Sequence, residues 1–119
     1  MKVPFLDLKL QLEPIRHEID HALLNVMENT AFASGPFVQK FEEKFAEFCE
    51  AKFCIAVNSG TSALHLALLA SDIKPGDEVI TVPNSFIATA WAITYCGAKP
   101  VFVDVEEGSW LMNPDLIEK

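Results

Sequence analysis

Apolar residues recur from Glu13 to Glu28 at Ile15, Ile19, Ala22, Leu23 and Val26. That spacing predicts a helix with one apolar stripe, and Pro14 suits its first turn. Asn29 to Pro36 reads as a loop, marked by Ser34-Gly35-Pro36. A second helix follows, in which Phe37, Phe41, Phe45 and Phe48 share one face, a stripe expected to pack into a core. Past residue 50 the pattern changes. Phe53 to Val57 is a short apolar run with the look of a strand, followed by Asn58-Ser59-Gly60-Thr61-Ser62 and a nearly all-apolar helix, Ala63 to Ala70. Pro75-Gly76 signals a turn. Val79 to Val82 is a second strand, Pro83-Asn84-Ser85 a loop, and Phe86 to Tyr95 a helix ended by Gly97. Pro100 to Val105 is a third strand, and Asn113-Pro114 begins a last helix of about two turns.

Strands alternating with apolar, buried-looking helices predict βαβ units and a parallel sheet of the kind covered on both faces. The fold class is therefore α/β: a helical arm over residues 1–50, then a βαβ portion over 51–119. Three parallel strands alone leave bare edges and an uncovered face. The chain thus reads as the front part of one larger domain, incomplete at residue 119.

Composition narrows the function. The 119 residues carry 17 Asp and Glu against 9 Lys and Arg, a net charge of −8, with 50% apolar and 22% charged residues. This is globular composition, in a chain long enough to bury a core. With Arg16 as its single arginine, the chain lacks the clustered cations that nucleic acid requires. No run of about 18 apolar residues predicts a membrane span, and Met1-Lys2-Val3-Pro4 opens no signal peptide. The expectation is a cytoplasmic protein whose cysteines (Cys49, Cys54, Cys96) are reduced and mostly buried.

No metal is expected. His17-Glu18-Ile19-Asp20-His21 matches the His-Glu-x-x-His zinc pattern, but zinc needs a third ligand and an enclosed second shell. His65 lies in an apolar helix and Cys49 and Cys54 are poorly grouped, so both His17 and His21 read as part of a solvated helix face.

The segment Asn58 to Ser62 holds the most chemistry. Gly60 lets a ligand approach the backbone, and the helix starting near Thr61 offers unpaired N–H groups with the positive end of its dipole. Ser59, Thr61 and Ser62 add hydroxyls, and together they suit a phosphate. The same residues equally describe a well-capped helix, with Ser59 or Thr61 satisfying the first turn. Neither the Walker pattern nor the Gly-x-Gly-x-x-Gly dinucleotide pattern is present. Asn84-Ser85-Phe86 follows the next strand, at the same carboxyl edge where open α/β sheets bind ligands. Taken alone, Phe86 reads as an inward-packing helix-start residue. Paired with a phosphate cup one strand away, it can cover the face of a planar cofactor.

Several motifs occur in order: Pro4-Phe5-Leu6-Asp7-Leu8, Gly35-Pro36, Phe41-Glu42, Asn58-Ser59-Gly60-Thr61-Ser62-Ala63-Leu64 and Pro75-Gly76-Asp77-Glu78-Val79-Ile80. Phe86-Ile87-Ala88-Thr89-Ala90 and Gly97-Ala98-Lys99-Pro100-Val101-Phe102-Val103-Asp104-Val105 complete the series. Over essentially its whole length the chain resembles the amino-terminal part of the DegT/DnrJ/StrS-type nucleotide-sugar aminotransferases, fold-type I enzymes dependent on pyridoxal 5'-phosphate (PLP). The resemblance implies transfer of an amino group from glutamate to a nucleotide-linked keto-sugar by a homodimer. It implies that Gly60 and Thr61 hold the PLP phosphate, that Ser59 and Ser62 assist there, and that Phe86 stacks on the pyridine ring. The loop at Ser34-Gly35 and the Phe5-Leu6-Asp7 arm would lie near substrate or dimer interface. The family's Schiff-base Lys, its pyridinium-pairing Asp and the neighbouring His or Gln fall beyond residue 119. No catalytic residue is therefore assigned, and the 119-residue chain by itself is expected to be inert. A sugar dehydratase of the same family, with His in place of that Lys, and a non-catalytic binding or dimerisation module are the alternatives.

Overall fold

The computed structural model describes residues 3–117. Two compact units divide the chain, Met1–Ala56 and Val57–Lys119.

The first unit is helical. Asp7 caps α1 (Leu8–Leu12), its carboxylate accepting from Lys9 N at 3.1 Å and Leu10 N at 3.3 Å. This short helix escapes the periodicity analysis because Leu8, Leu10 and Leu12 alternate rather than following a helical repeat; the Asp cap is its signal. Pro14 sits in a 3-10 turn, Glu13–Ile15, and α2 (Arg16–Glu28) follows. Gly35, at φ +88°, precedes α3 (Pro36–Phe48), whose first residue is the proline. Glu42 on α3 accepts from the backbone N–H of Ala56 at 2.7 Å, tying the stretch after α3 to its flank.

Two expectations fail in this unit. The phenylalanine stripe is not buried: Phe41, Phe45 and Phe48 are all exposed, and Ala46 is the one buried residue among those described in α3. The rings pack on one another instead, with centroids 5.4 Å apart for Phe41–Phe45 and 6.3 Å for Phe45–Phe48. Periodicity sets which side of a helix is apolar, but burial also needs an opposing layer. Likewise Phe53 to Val57 belongs to no strand. A strand exists only as part of a ladder, and this run has no ladder partner among the described residues.

The second unit contains the α/β element. Helix α4 (Gly60–Ala70) leads through a turn to β1 (Glu78–Thr81), α5 (Ala88–Tyr95) and β2 (Lys99–Phe102). The strands pair in parallel, Glu78 with Lys99 through Thr81 with Phe102, and α5 is the crossover. Among the described residues the sheet therefore has two strands, not the three expected. Its core lies under α5: Ile93, Cys96 and Ala98 are buried against Leu68 of α4, Ile73 and Val79. Ala88 and Ala92 complete the buried face of α5, small side chains that let α4 pack close to it. α4 was expected to be buried, yet none of its residues is, and Leu64, Leu66 and Leu69 are exposed. After β2, an isolated antiparallel bridge joins Val105 to Met112. The last expected helix is a single 3-10 turn, Pro114–Leu116, with Asn113 Oδ1 accepting from Asp115 N at 3.0 Å.

Among the cysteines only Cys96 is buried; Cys54 is half-buried and Cys49 exposed, which corrects the expectation of mostly buried thiols. His17 and His21 sit on the exposed side of α2, where His21 Nε2 pairs with Asn25 Nδ2 at 3.2 Å. No group of three or more potential metal ligands occurs among the described residues. No helix among them is long and apolar enough to cross a membrane.

Candidate functional site

Ser59 resolves one of the two readings of the cup in part. It has an extended backbone, φ −162° and ψ 158°, and is the N-cap of α4. Its hydroxyl accepts from Ser62 N at 3.1 Å and donates to Ser62 Oγ at 3.1 Å. Ala63 N donates to the Ser59 carbonyl at 3.0 Å. The cap therefore engages Ser59, Ser62 and the third and fourth N–H groups of the helix. It leaves the first two, those of Gly60 and Thr61, without a protein acceptor among the described residues. A Cβ at Gly60 would meet nothing within 4 Å, so the space beside that residue is open. Capping and anion binding are thus compatible at this helix start: the serines complete the turn, and the glycine and threonine N–H groups remain for a ligand.

Phe86 stands just before α5, 75% exposed. It is not the inward-packing residue that its position alone would imply. Its ring borders a cleft of about 730 Å³ between α4 and α5. Helix α4 contributes Gly60, Thr61, Ala63, Leu64 and Ala67 to the walls, and the α5 side contributes Phe86, Ala88 and Thr89. Three of the five predicted site residues, Gly60, Thr61 and Phe86, therefore line one cavity. Ser59 and Ser62 do not line it and serve the cap. Ala63, Leu64, Ala67, Ala88 and Thr89 went unmarked as site residues in the sequence. Of these only Thr89 carries a side-chain hydrogen-bonding group, and its hydroxyl lies 2.7 Å from Ser85 Oγ.

The cleft is apolar along its length, with N–H donors at one end and an aromatic ring on its flank. Such a site suits a flat, mostly apolar ligand carrying an anionic group.

The chain is thus an α/β unit in which a helix start and the aromatic that follows the next strand share one cleft. The model of the DegT/DnrJ/EryC1/StrS aminotransferase family matches residues 13–119, and the chain belongs to that family. It is 42% identical over 118 residues to the dTDP-3-amino-3,4,6-trideoxy-alpha-D-glucose transaminase of Streptomyces venezuelae, covering 99% of this chain and 31% of that protein. Among solved structures, S. venezuelae DesV superposes with a TM-score of 0.91 at 42% identity, over 98% of this chain and 32% of that one. NtdA from Bacillus subtilis, solved with bound cofactor PMP, gives 0.89 at 37% identity, over 98% and 27%. The chain spans about a third of the length of the curated relatives it matches.

Proposed function

We propose that this chain forms the phosphate-holding and ring-stacking part of a PLP-dependent sugar aminotransferase, as the incomplete front portion of its large domain. In that reading Gly60 and Thr61 donate their N–H groups to the cofactor phosphate, and the Thr61 hydroxyl adds a third donor. Ser59 and Ser62 hold the helix start in shape. Phe86 covers one face of the pyridine ring. When bound, PLP supplies the electron sink for amino transfer; the residues of this chain bind it, orient it and shield one ring face from water. The carrying observation is that Gly60, Thr61 and Phe86 border a single cleft. Two donors without protein acceptors and open space at Gly60 fit the phosphate, and an exposed ring fits the planar base.

The whole enzyme would take an amino group from glutamate and deliver it to a nucleotide-linked keto-sugar, acting as a cytoplasmic homodimer. The 119-residue chain is inert in this reading, because covalent attachment and proton transfer need a lysine aimed at the cofactor, and none of the described residues lining this cleft is a lysine.

Titrating the purified chain with PLP should give weak, saturable binding that inorganic phosphate competes away. Phe86→Ala should weaken it about threefold to tenfold through lost stacking. Absence of saturable binding, or binding indifferent to Phe86→Ala and Thr61→Val, overturns the site. Turnover of glutamate and a keto-sugar nucleotide by the chain alone overturns the inertness.

A further inference from the structure

Phe86 is exposed, so packing does not hold its ring in place. Nor does a conventional cap fix the start of α5: the N-cap position is Ile87, in helical conformation, with no side-chain hydrogen bond. Thr89 takes over that role from inside the helix. Its hydroxyl lies 2.7 Å from Ser85 Oγ, and its N–H donates to the Phe86 carbonyl at 3.0 Å. Ser85 N in turn donates to the Pro83 carbonyl at 2.9 Å. The peptide that carries Phe86 is thus gripped on both sides by one threonine. A β-branched side chain in a helix has few χ1 rotamers, and a hydroxyl pair at 2.7 Å is at ideal length. Phe86 and Thr89 also line both the large cleft and a second hollow of about 120 Å³ beside Val82 and Phe102. Phe86 therefore has space on more than one side.

We infer that the Ser85–Thr89 hydroxyl pair is a positioning clamp that keeps the Phe86 ring on the large cleft. This inference rests on the reading of Phe86 as the stacking surface for the cofactor. Neither Ser85 nor Thr89 is a catalytic residue in it; both act through Phe86. Losing the clamp frees the ring to swing toward the smaller hollow and makes the ligand reorder it on binding.

The test uses Thr89→Val, which keeps the shape and deletes the hydroxyl, Thr89→Ser, which keeps the hydroxyl, and Ser85→Ala in the exposed loop, where folding is at little risk. Two quantities are read on the full chain. One is the ordering of the Phe86 ring by NMR relaxation. The other is a titration with pyridoxamine 5'-phosphate, the amine form, which does not condense with lysines. Thr89→Val and Ser85→Ala should each loosen the ring and weaken binding about twofold to tenfold, the effect of one hydrogen bond. The double variant should be no worse than either single, and Thr89→Ser should restore both readouts. A ring equally ordered in Thr89→Val and Ser85→Ala overturns the clamp, whether or not the ligand binds. A ring loosened in both, in a wild-type chain that binds no pyridoxamine phosphate, sustains the clamp and removes the cofactor reading instead.

Discussion

At Phe86 an aromatic ring is left three-quarters exposed, a cost in apolar surface that a ligand would offset. Replacing it with Ala should leave stability within about 0.5 kcal/mol, as surface changes do, while binding falls; thermal unfolding beside the titration checks that separation. Gly97 answers to the opposite constraint. It follows α5 at φ +73°, and a Cβ there would lie 2.7 Å from Pro75 Cγ. Gly97→Ala should therefore destabilise by about 1–3 kcal/mol, since both the backbone conformation and the proline ring must yield; a urea midpoint measures it. A Cβ at Gly60 would face open space, whereas one at Gly97 would meet a packed ring. That Gly60, Thr61 and Phe86 share one cleft was legible because a helix start and an aromatic follow successive strand-like runs. Thr89 was not, because nothing in its local sequence says that its hydroxyl meets Ser85.

The elements depend on local devices that differ in kind. Helix α4 is held at its start by Ser59, and Ser59→Ala should cost about 0.5–2 kcal/mol while freeing Ser62 N–H. Amide exchange at Ser62 and Ala63 should quicken most. Strands β1 and β2 are joined at one end by Lys99 Nζ donating to Glu78 Oε1 at 2.7 Å, across their register pair. That hydrogen bond, and then the attraction of the Glu78 charge, hold Lys99 above its usual value of 10.5. A raised folded-state value means that the contribution is full at neutral pH and is lost as pH climbs through the raised value. Past pH 10.5 the wild-type urea midpoint should thus fall more steeply than that of Lys99→Met. Because both side chains are largely exposed, high salt should remove most of the difference. The strand over Phe53 to Val57 was misjudged at this scale: composition marks a segment that tolerates extension, while a strand needs a neighbour.

Over the whole molecule, the described buried core is small, centred on Ile93, Cys96 and Ala98, and large apolar side chains are exposed on α3 and α4 alike. Apolar side chains exposed in such number drive association. Sedimentation of the purified chain should show self-association that grows with concentration, and a monomer at high concentration would contradict that. The acidic balance, the α/β alternation, the crossover of α5 and the capped helix start with its glycine were all determined by sequence, because each depends on neighbours a few residues apart or on periodicity. What covers an apolar stripe, which runs become paired strands, and which side chains meet across the α4–α5 cleft were decided by tertiary structure. Those depend on contacts between segments distant in the chain, and no local pattern encodes which surfaces will face each other.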